Sequence, residues 1–93
     1  MASLRMLKKD IDYLVGQVLD DSYFTAYFHP EKKAEAIQII EEAVEFRNSL
    51  FDRVNSPAEK NNKSLVKKHY AQIRRDMFSG VDKLFEKLSG IVK

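Results

Sequence analysis

Three sets of side chains in this chain have types and spacings that could do chemistry: a carboxylate triplet, a central arginine and a basic run. Glu41, Glu42 and Glu45 lie close together, and carboxylate oxygens with water are what Mg²⁺ takes. At 3.6 residues per turn they fall away from the apolar positions of their own segment, so a solvated helix face is the ordinary reading. Arg47 sits near the centre of an apolar face, flanked by Ala43, Val44, Leu50 and Phe51. A buried arginine needs partners. Matching heights at about 1.5 Å per residue puts Arg47 level with Asp12 and with the segment from His69 to Gln72. Arg47, Asp12, Tyr70 and His69 are therefore the expected buried polar cluster. A register-setting ion pair is its main reading and a small-anion site the sharper one. Lys67 and Arg74 are seven residues apart, as are Lys68 and Arg75, so with Lys63 nearby they form two parallel basic rows that could follow a phosphate backbone. No base-reading motif accompanies them, and the net charge is only +2. The chain has no Cys and two His, which stand at opposite ends of the expected bundle. It carries no His-Glu-x-x-His pattern, no serine-nucleophile motif and no glycine-rich phosphate loop. No cofactor and no metal are expected, with Glu41, Glu42 and Glu45 the alternative metal set.

The run Glu41-Glu42-Ala43-Val44-Glu45 resembles the Glu-Glu-x-x-Glu helix motif of the MazG-like, all-α nucleoside-triphosphate pyrophosphatases. That resemblance implies carboxylates that hold magnesium, completed by a later Glu-x-x-Asp. The downstream candidate here is Glu59-Lys60-Asn61-Asn62, with Asn62 where the family has Asp. A broader resemblance rests on Lys9-Asp10-Ile11-Asp12-Tyr13-Leu14-Val15, Tyr27-Phe28-His29-Pro30-Glu31-Lys32 and Lys68-His69-Tyr70-Ala71-Gln72-Ile73-Arg74-Arg75. In these the chain is similar to small uncharacterised all-helical proteins of Bacteroides-type bacteria. The likeness implies a bacterial, cytoplasmic helical protein and assigns no activity.

The elements that must position these groups are three helices. Leu4, Leu7, Ile11, Leu14 and Val18 alternate spacings of three and four, which predicts a helix over 3–28, widened by Val15, Leu19, Ser22 and Ala26 and capped by Ser3. His29-Pro30-Glu31 breaks it, because proline disfavours the α conformation in the residue before it and suits a first helical position. A second helix follows over 30–54, with Ala36, Ile37, Ile40, Ala43, Val44, Leu50, Phe51 and Val54 as its apolar face. Ser56 and Glu59 have capping-box spacing around Pro57, which predicts a short helical turn and then a loop. Ser64 is expected to cap the third helix, which runs to Val92 with Val66, Tyr70, Ile73, Met77, Leu84, Leu88 and Ile91 as its seam. Gly80 lies in that seam, where it admits a close helix approach or a bend. Short connections make neighbours antiparallel, so the predicted fold is all-α, a single domain over 1–93, three long helices in an up-down-up bundle.

Helix 1 and helix 3 carry more apolar surface than such a bundle covers. Met6, Tyr13 and Phe24 lie opposite the first helix's core face, with Tyr27 and Phe28 close by. Ala71, Phe78, Phe85 and Val92 repeat every seven residues on the third. Large exposed apolar patches mark contact sites, so Tyr13, Phe24, Phe78, Phe85 and Val92 are the expected oligomer interface and a homodimer the expected assembly. The cluster of Tyr23, Phe24, Tyr27, Phe28 and His29 reads as a plug at one end of the bundle.

Composition sets the outer limits. With 44% apolar residues, three Gly and two Pro, neither a disordered chain nor a turn-rich β fold is expected. Charge divides unevenly: residues 1–55 hold seven Lys/Arg against ten Asp/Glu, and residues 56–93 hold nine against four. No signal peptide is visible and no stretch approaches the ~20 apolar residues of a membrane span, so a cytoplasmic protein is expected. The leading functional reading is a non-enzymatic helical protein that self-associates. Its alternatives are a metal-dependent nucleotide pyrophosphohydrolase and a nucleic-acid-binding accessory protein using Lys67, Lys68, Arg74 and Arg75.

Overall fold

The computed structural model describes residues 4–56 and 61–92. Among these the chain is all-helical: α1 spans Leu4–Phe28, a 3-10 turn spans Pro30–Lys32, α2 spans Lys33–Asn55 and α3 spans Lys63–Ile91. The three helices pack into a bundle 52 × 19 × 18 Å in extent. The α1–α2 contact is the most extensive and the α1–α3 contact the slightest of the three.

One stripe per helix builds the core. On α1 it is Leu7, Ile11, Val15 and Val18; on α2 it is Ala36, Ile39, Ala43, Leu50 and Val54; on α3 it is Ile73, Met77, Val81, Leu84, Leu88 and Ile91. Successive members are three or four residues apart, or seven from Ala43 to Leu50, so each stripe follows one side of its helix. Ser22 and Thr25 extend the α1 stripe although both are polar. Each hydroxyl donates to a carbonyl one turn back in its own helix, Ser22 Oγ to Val18 O at 2.7 Å and Thr25 Oγ1 to Asp21 O at 2.9 Å. Neither therefore goes into the core unsatisfied.

The apolar face expected for α2 needs correction. Ile39 and not Ile37 is in the seam, and Ile37 and Val44 are each 40% exposed. The apolar band of α2 is wider than two neighbouring helices can cover. Ala36 and Ala43 are fully buried, and Ile37 and Val44, one residue on from each, are turned outward. Phe46, absent from the expected face, packs against the core cluster.

Two of the expected helix starts also move. Pro30 opens a 3-10 turn, closed by Lys32 N–H donating to His29 O at 2.8 Å, and the α-helix proper begins three residues later at Lys33. Asn62 and not Ser64 caps α3. Its backbone is extended, its side-chain oxygen accepts from Leu65 N–H at 3.2 Å, and Val66 N–H donates to its carbonyl at 3.0 Å. Asn ranks beside Ser as a cap, and Asn62 stands at the spacing that meets a free N–H of the first turn. The capping box and turn expected at Pro57–Glu59 lie outside the described residues.

Gly80 is a point of contact between α2 and α3. The Phe46 ring lies over it, and a Cβ at position 80 would overlap three ring carbons. Gly16 and Gly90 have nothing within 4 Å of the place a Cβ would take. Replacing a helical Gly by Ala normally stabilises by about 0.4–1 kcal/mol. Gly16→Ala should therefore raise the urea midpoint. Gly80→Ala should lower it, because displacing a packed ring costs about 1–3 kcal/mol and outweighs the propensity gain. Phe46→Leu in the Gly80→Ala background should recover most of the loss; equal gains from both Gly→Ala changes would refute the ring-on-glycine contact.

Candidate functional site

Arg47 and Asp12 meet as the heights of their helices predict. Arg47 Nε donates to Asp12 Oδ1 at 2.7 Å, which ties α2 to α1. Arg47 also reaches Asn48 Oδ1 at 3.3 Å, and its guanidinium carbon stands 4.4 Å from the centre of the Phe51 ring. The expected burial is corrected: the two side chains are 39% and 54% exposed. Arg47 lies on the flank of the α2 seam, and its long stem carries the charged head out to solvent while packing along the apolar surface.

His69 and Tyr70 are not part of that cluster. His69 Nε2 donates to Arg53 O at 2.7 Å, since a carbonyl can only accept, and Tyr70 OH donates to Val54 O at 3.3 Å. These carbonyls belong to the last turn of α2, where no residue of the same helix can satisfy them. The two side chains thus close the end of α2 from α3. Arg53 Nη2 adds a bridge to Asp76 Oδ2 at 2.8 Å, and Asp76 also accepts from Gln72 Nε2 at 2.9 Å. The Gln72 hydrogen bond, then that from Arg53, holds the Asp76 carboxyl below its ordinary value of 3.8.

The acidic triplet does not converge. Glu41 and Glu45 are exposed, whereas Glu42 is held by Lys87 Nζ at 3.1 Å across the α2–α3 groove. That groove, about 420 Å³, is floored by Phe46 and Gly80, and its carboxylates Glu42 and Asp76 are already tied to Lys87 and Arg53. Among the described residues no group of three or more His, Cys, Asp or Glu could hold a metal ion. Glu59, the downstream residue of the pyrophosphatase-like pattern, lies outside the described residues.

The basic run divides. Arg74 Nη1 is bound to Asp10 Oδ2 of α1 at 3.0 Å, and Arg75 Nη2 donates to Gln72 Oε1 of its own helix at 3.1 Å. Lys67, Lys68 and Arg75 are exposed and none is paired with α2. Acidic α2 instead engages Lys87 and, through its own Arg53, Asp76.

The largest unpartnered feature is apolar. Tyr13 is 67% exposed, Phe24 63% and Phe78 50%, and Tyr27, Phe28 and Val92 are exposed as well. Phe85 is half-buried: it packs against the core cluster and lines the α1–α3 groove with Phe24, Leu88 and Val92, a space of about 250 Å³. Phe24 and Phe28 stack at 4.3 Å between ring centres, and Tyr27 meets Phe28 edge-on at 5.0 Å. The aromatic cluster therefore stands on the outside of α1 as a connected ridge. It does not fold over the end of the bundle as a plug. His29 at its tip faces Glu31, with Nδ1 and Oε1 3.4 Å apart. The seven-residue spacing of Phe78, Phe85 and Val92 was the signal for this surface. That this surface flanks the α1–α3 groove depends on how the two helices pack, which spacing along one helix does not contain.

Compared with known proteins, the chain matches no family model, no curated sequence and no solved structure. Among the described residues no helix is long and apolar enough to cross a membrane.

Two outcomes follow from the polar geometry. Asp12→Ala should cost no more than about 1 kcal/mol in urea unfolding, the range of exposed ion pairs; a loss of about 3–5 kcal/mol would mean the arginine is left buried without a partner. Asp76 has a lowered pKa in the folded state, so its contribution is present above the unfolded value of 3.8 and is lost as pH falls through the folded one. Asp76→Asn should accordingly flatten the stability curve below about pH 4. A mutant curve as steep as that of the wild type there would exclude this carboxylate as a source of acid sensitivity.

Proposed function

We propose that this protein is a non-enzymatic helical self-association module of the bacterial cytoplasm. In this reading it is an up-down-up bundle that pairs with a second copy through the face made by α1 and α3. The helix directions are supported by the cross-helix contacts. Glu42 meets Lys87 while Arg53, further along α2, meets Asp76, so position rises on one helix as it falls on the other. Asp10 meets Arg74, and Phe24 shares a groove with Phe85, so α1 and α3 rise together.

One observation carries the functional reading: a rod with a continuous exposed aromatic band has more surface than a protein of its mass should show. Its accessible area is 6579 Å², against about 5,500 Å² expected for a compact monomer of 10.8 kDa. Its radius of gyration is 15.3 Å, against about 12 Å expected. The surplus is of the size that one partner contributes to a standard interface, about 800 Å². A two-fold dimer is the commonest closed solution. A nucleic-acid-binding accessory role is the second reading, favoured by the exposure of Lys67, Lys68 and Arg75.

Sedimentation at micromolar concentration tests the first reading, with a dimer expected. Tyr13→Glu with Phe78→Glu should give folded monomers, because both side chains are at least half exposed and neither belongs to the core stripe. Phe85 is left in place, since its contact with the core would confound the result. A wild-type monomer across that range would defeat the self-association reading.

A further inference from the structure

We infer that the second copy docks on the α1–α3 face antiparallel to the first, with the basic end of each chain over the acidic end of the other. This rests on the self-association reading above and assigns the partner its polarity and register.

The α1–α3 face is charged in opposite senses at its two ends. Towards the start of α1 and of α3 it is bordered by Lys9, Lys67 and Arg75; towards their ends it is bordered by Asp20 and Asp82. All five side chains are exposed, and none has an ion-pair partner among the described residues. The apolar residues Tyr13 and Phe78 lie between the two ends on the same side of their helices. A surface that is basic at one end and acidic at the other repels a second copy laid parallel and attracts one laid antiparallel.

The register follows from the sequence positions. Midway between Lys9 and Asp20 on α1 falls the step from Leu14 to Val15. Midway between Arg75 and Asp82 on α3 falls the step from Phe78 to Ser79. The Asp10–Arg74 ion pair, 3.0 Å long, fixes one height on both helices. Counting four residues on from each of its members arrives at Leu14 and at Phe78. The two midpoints therefore lie level, and one two-fold axis through that height serves both helices at once. A two-fold interface demands this, because each contact must occur twice with the roles exchanged. The same axis brings the bulky Phe85 of one copy within one residue of the level of the small Ala71 of the other, so large meets small at that point of the apolar band.

Sedimentation equilibrium of the full chain tests the polarity. The basic-end variant is Lys9→Glu with Arg75→Glu, and the acidic-end variant is Asp20→Lys with Asp82→Lys. Each alone should raise the dimer Kd at least about tenfold, since every reversed contact occurs twice. Mixing the two variants should restore association, because one chain is then acidic at both ends and the other basic. The chain carrying all four changes should return to within about threefold of the wild-type Kd on the same reasoning. Circular dichroism melts check that each variant folds, and the mixing arm remains decisive if the fourfold variant does not. A basic-end reversal that tightens the dimer overturns the antiparallel arrangement in favour of a parallel one. So does a mixture that associates no better than its components. A wild-type dimer indifferent to all four changes overturns the polarity while leaving self-association standing, and a wild-type monomer removes both. Loss of binding to a short DNA or RNA duplex in the basic-end variant, with its dimer Kd unchanged, would overturn the inference by assigning those cations to nucleic acid.

Discussion

Three helices standing side by side give each helix two neighbours, and two neighbours cover little more than one stripe of side chains along it. The core of this protein is that narrow. Leu7, Ile11, Val15 and Val18 meet Ala36, Ile39, Ala43, Leu50 and Val54 on one side and the stripe from Ile73 to Ile91 on the other. The α1–α2 contact is the most extensive of the three and the α1–α3 contact the slightest. Apolar residues outside the stripes then have nowhere to go within one chain. Ile37 and Val44 are left half-covered, and Tyr13, Phe24, Tyr27, Phe28 and Phe78 stand largely in solvent.

Polar contacts fasten the helices around this core at distributed points. Arg47–Asp12, Arg53–Asp76, Arg74–Asp10 and Lys87–Glu42 are all partly exposed ion pairs, each between two different helices. Such pairs contribute little to stability individually. Their geometry nevertheless fixes the height of each helix against the next, which a uniform apolar seam does not. His69 and Tyr70 do something different: by donating to the carbonyls of Arg53 and Val54 they terminate α2 from outside it. Gly80 makes room for Phe46 near the middle of the same α2–α3 contact. The α2–α3 pairing is therefore held by specific shape and hydrogen bonding, and the α1–α2 pairing by the most extensive contact in the bundle.

This division of labour bears on how the molecule presents itself. The α1–α2 and α2–α3 contacts are fastened by Arg47–Asp12, Arg53–Asp76 and Lys87–Glu42. Among the described residues the α1–α3 contact has one ion pair, Asp10–Arg74, and the charges flanking it have no ion-pair partner. A face with unspent aromatic surface at its centre and unpaired charges at its borders has the composition of an interface core with a polar rim. The same face is where the bundle is least closed.

The three helices and most of their buried residues were legible in the sequence because both rest on local rules. Apolar spacing of three and four declares a helix and its inner side, and proline at 30 interrupts it for reasons confined to a few bonds. The Arg47–Asp12 pair was legible too, since helix rise is constant and converts residue number into height. Three things were decided only in three dimensions. Which of several adjacent apolar residues entered the α2 seam, Ile39 over Ile37, depended on how α2 turns against its two neighbours. Where His69 and Tyr70 bonded depended on an end of α2 that they reach only from the packed α3. Whether Arg47 was buried depended on how far its stem could carry its charge past Phe51. Periodicity defines a face to within one side chain, whereas burial and partner choice are settled by distances between helices, which no pattern along a single chain contains.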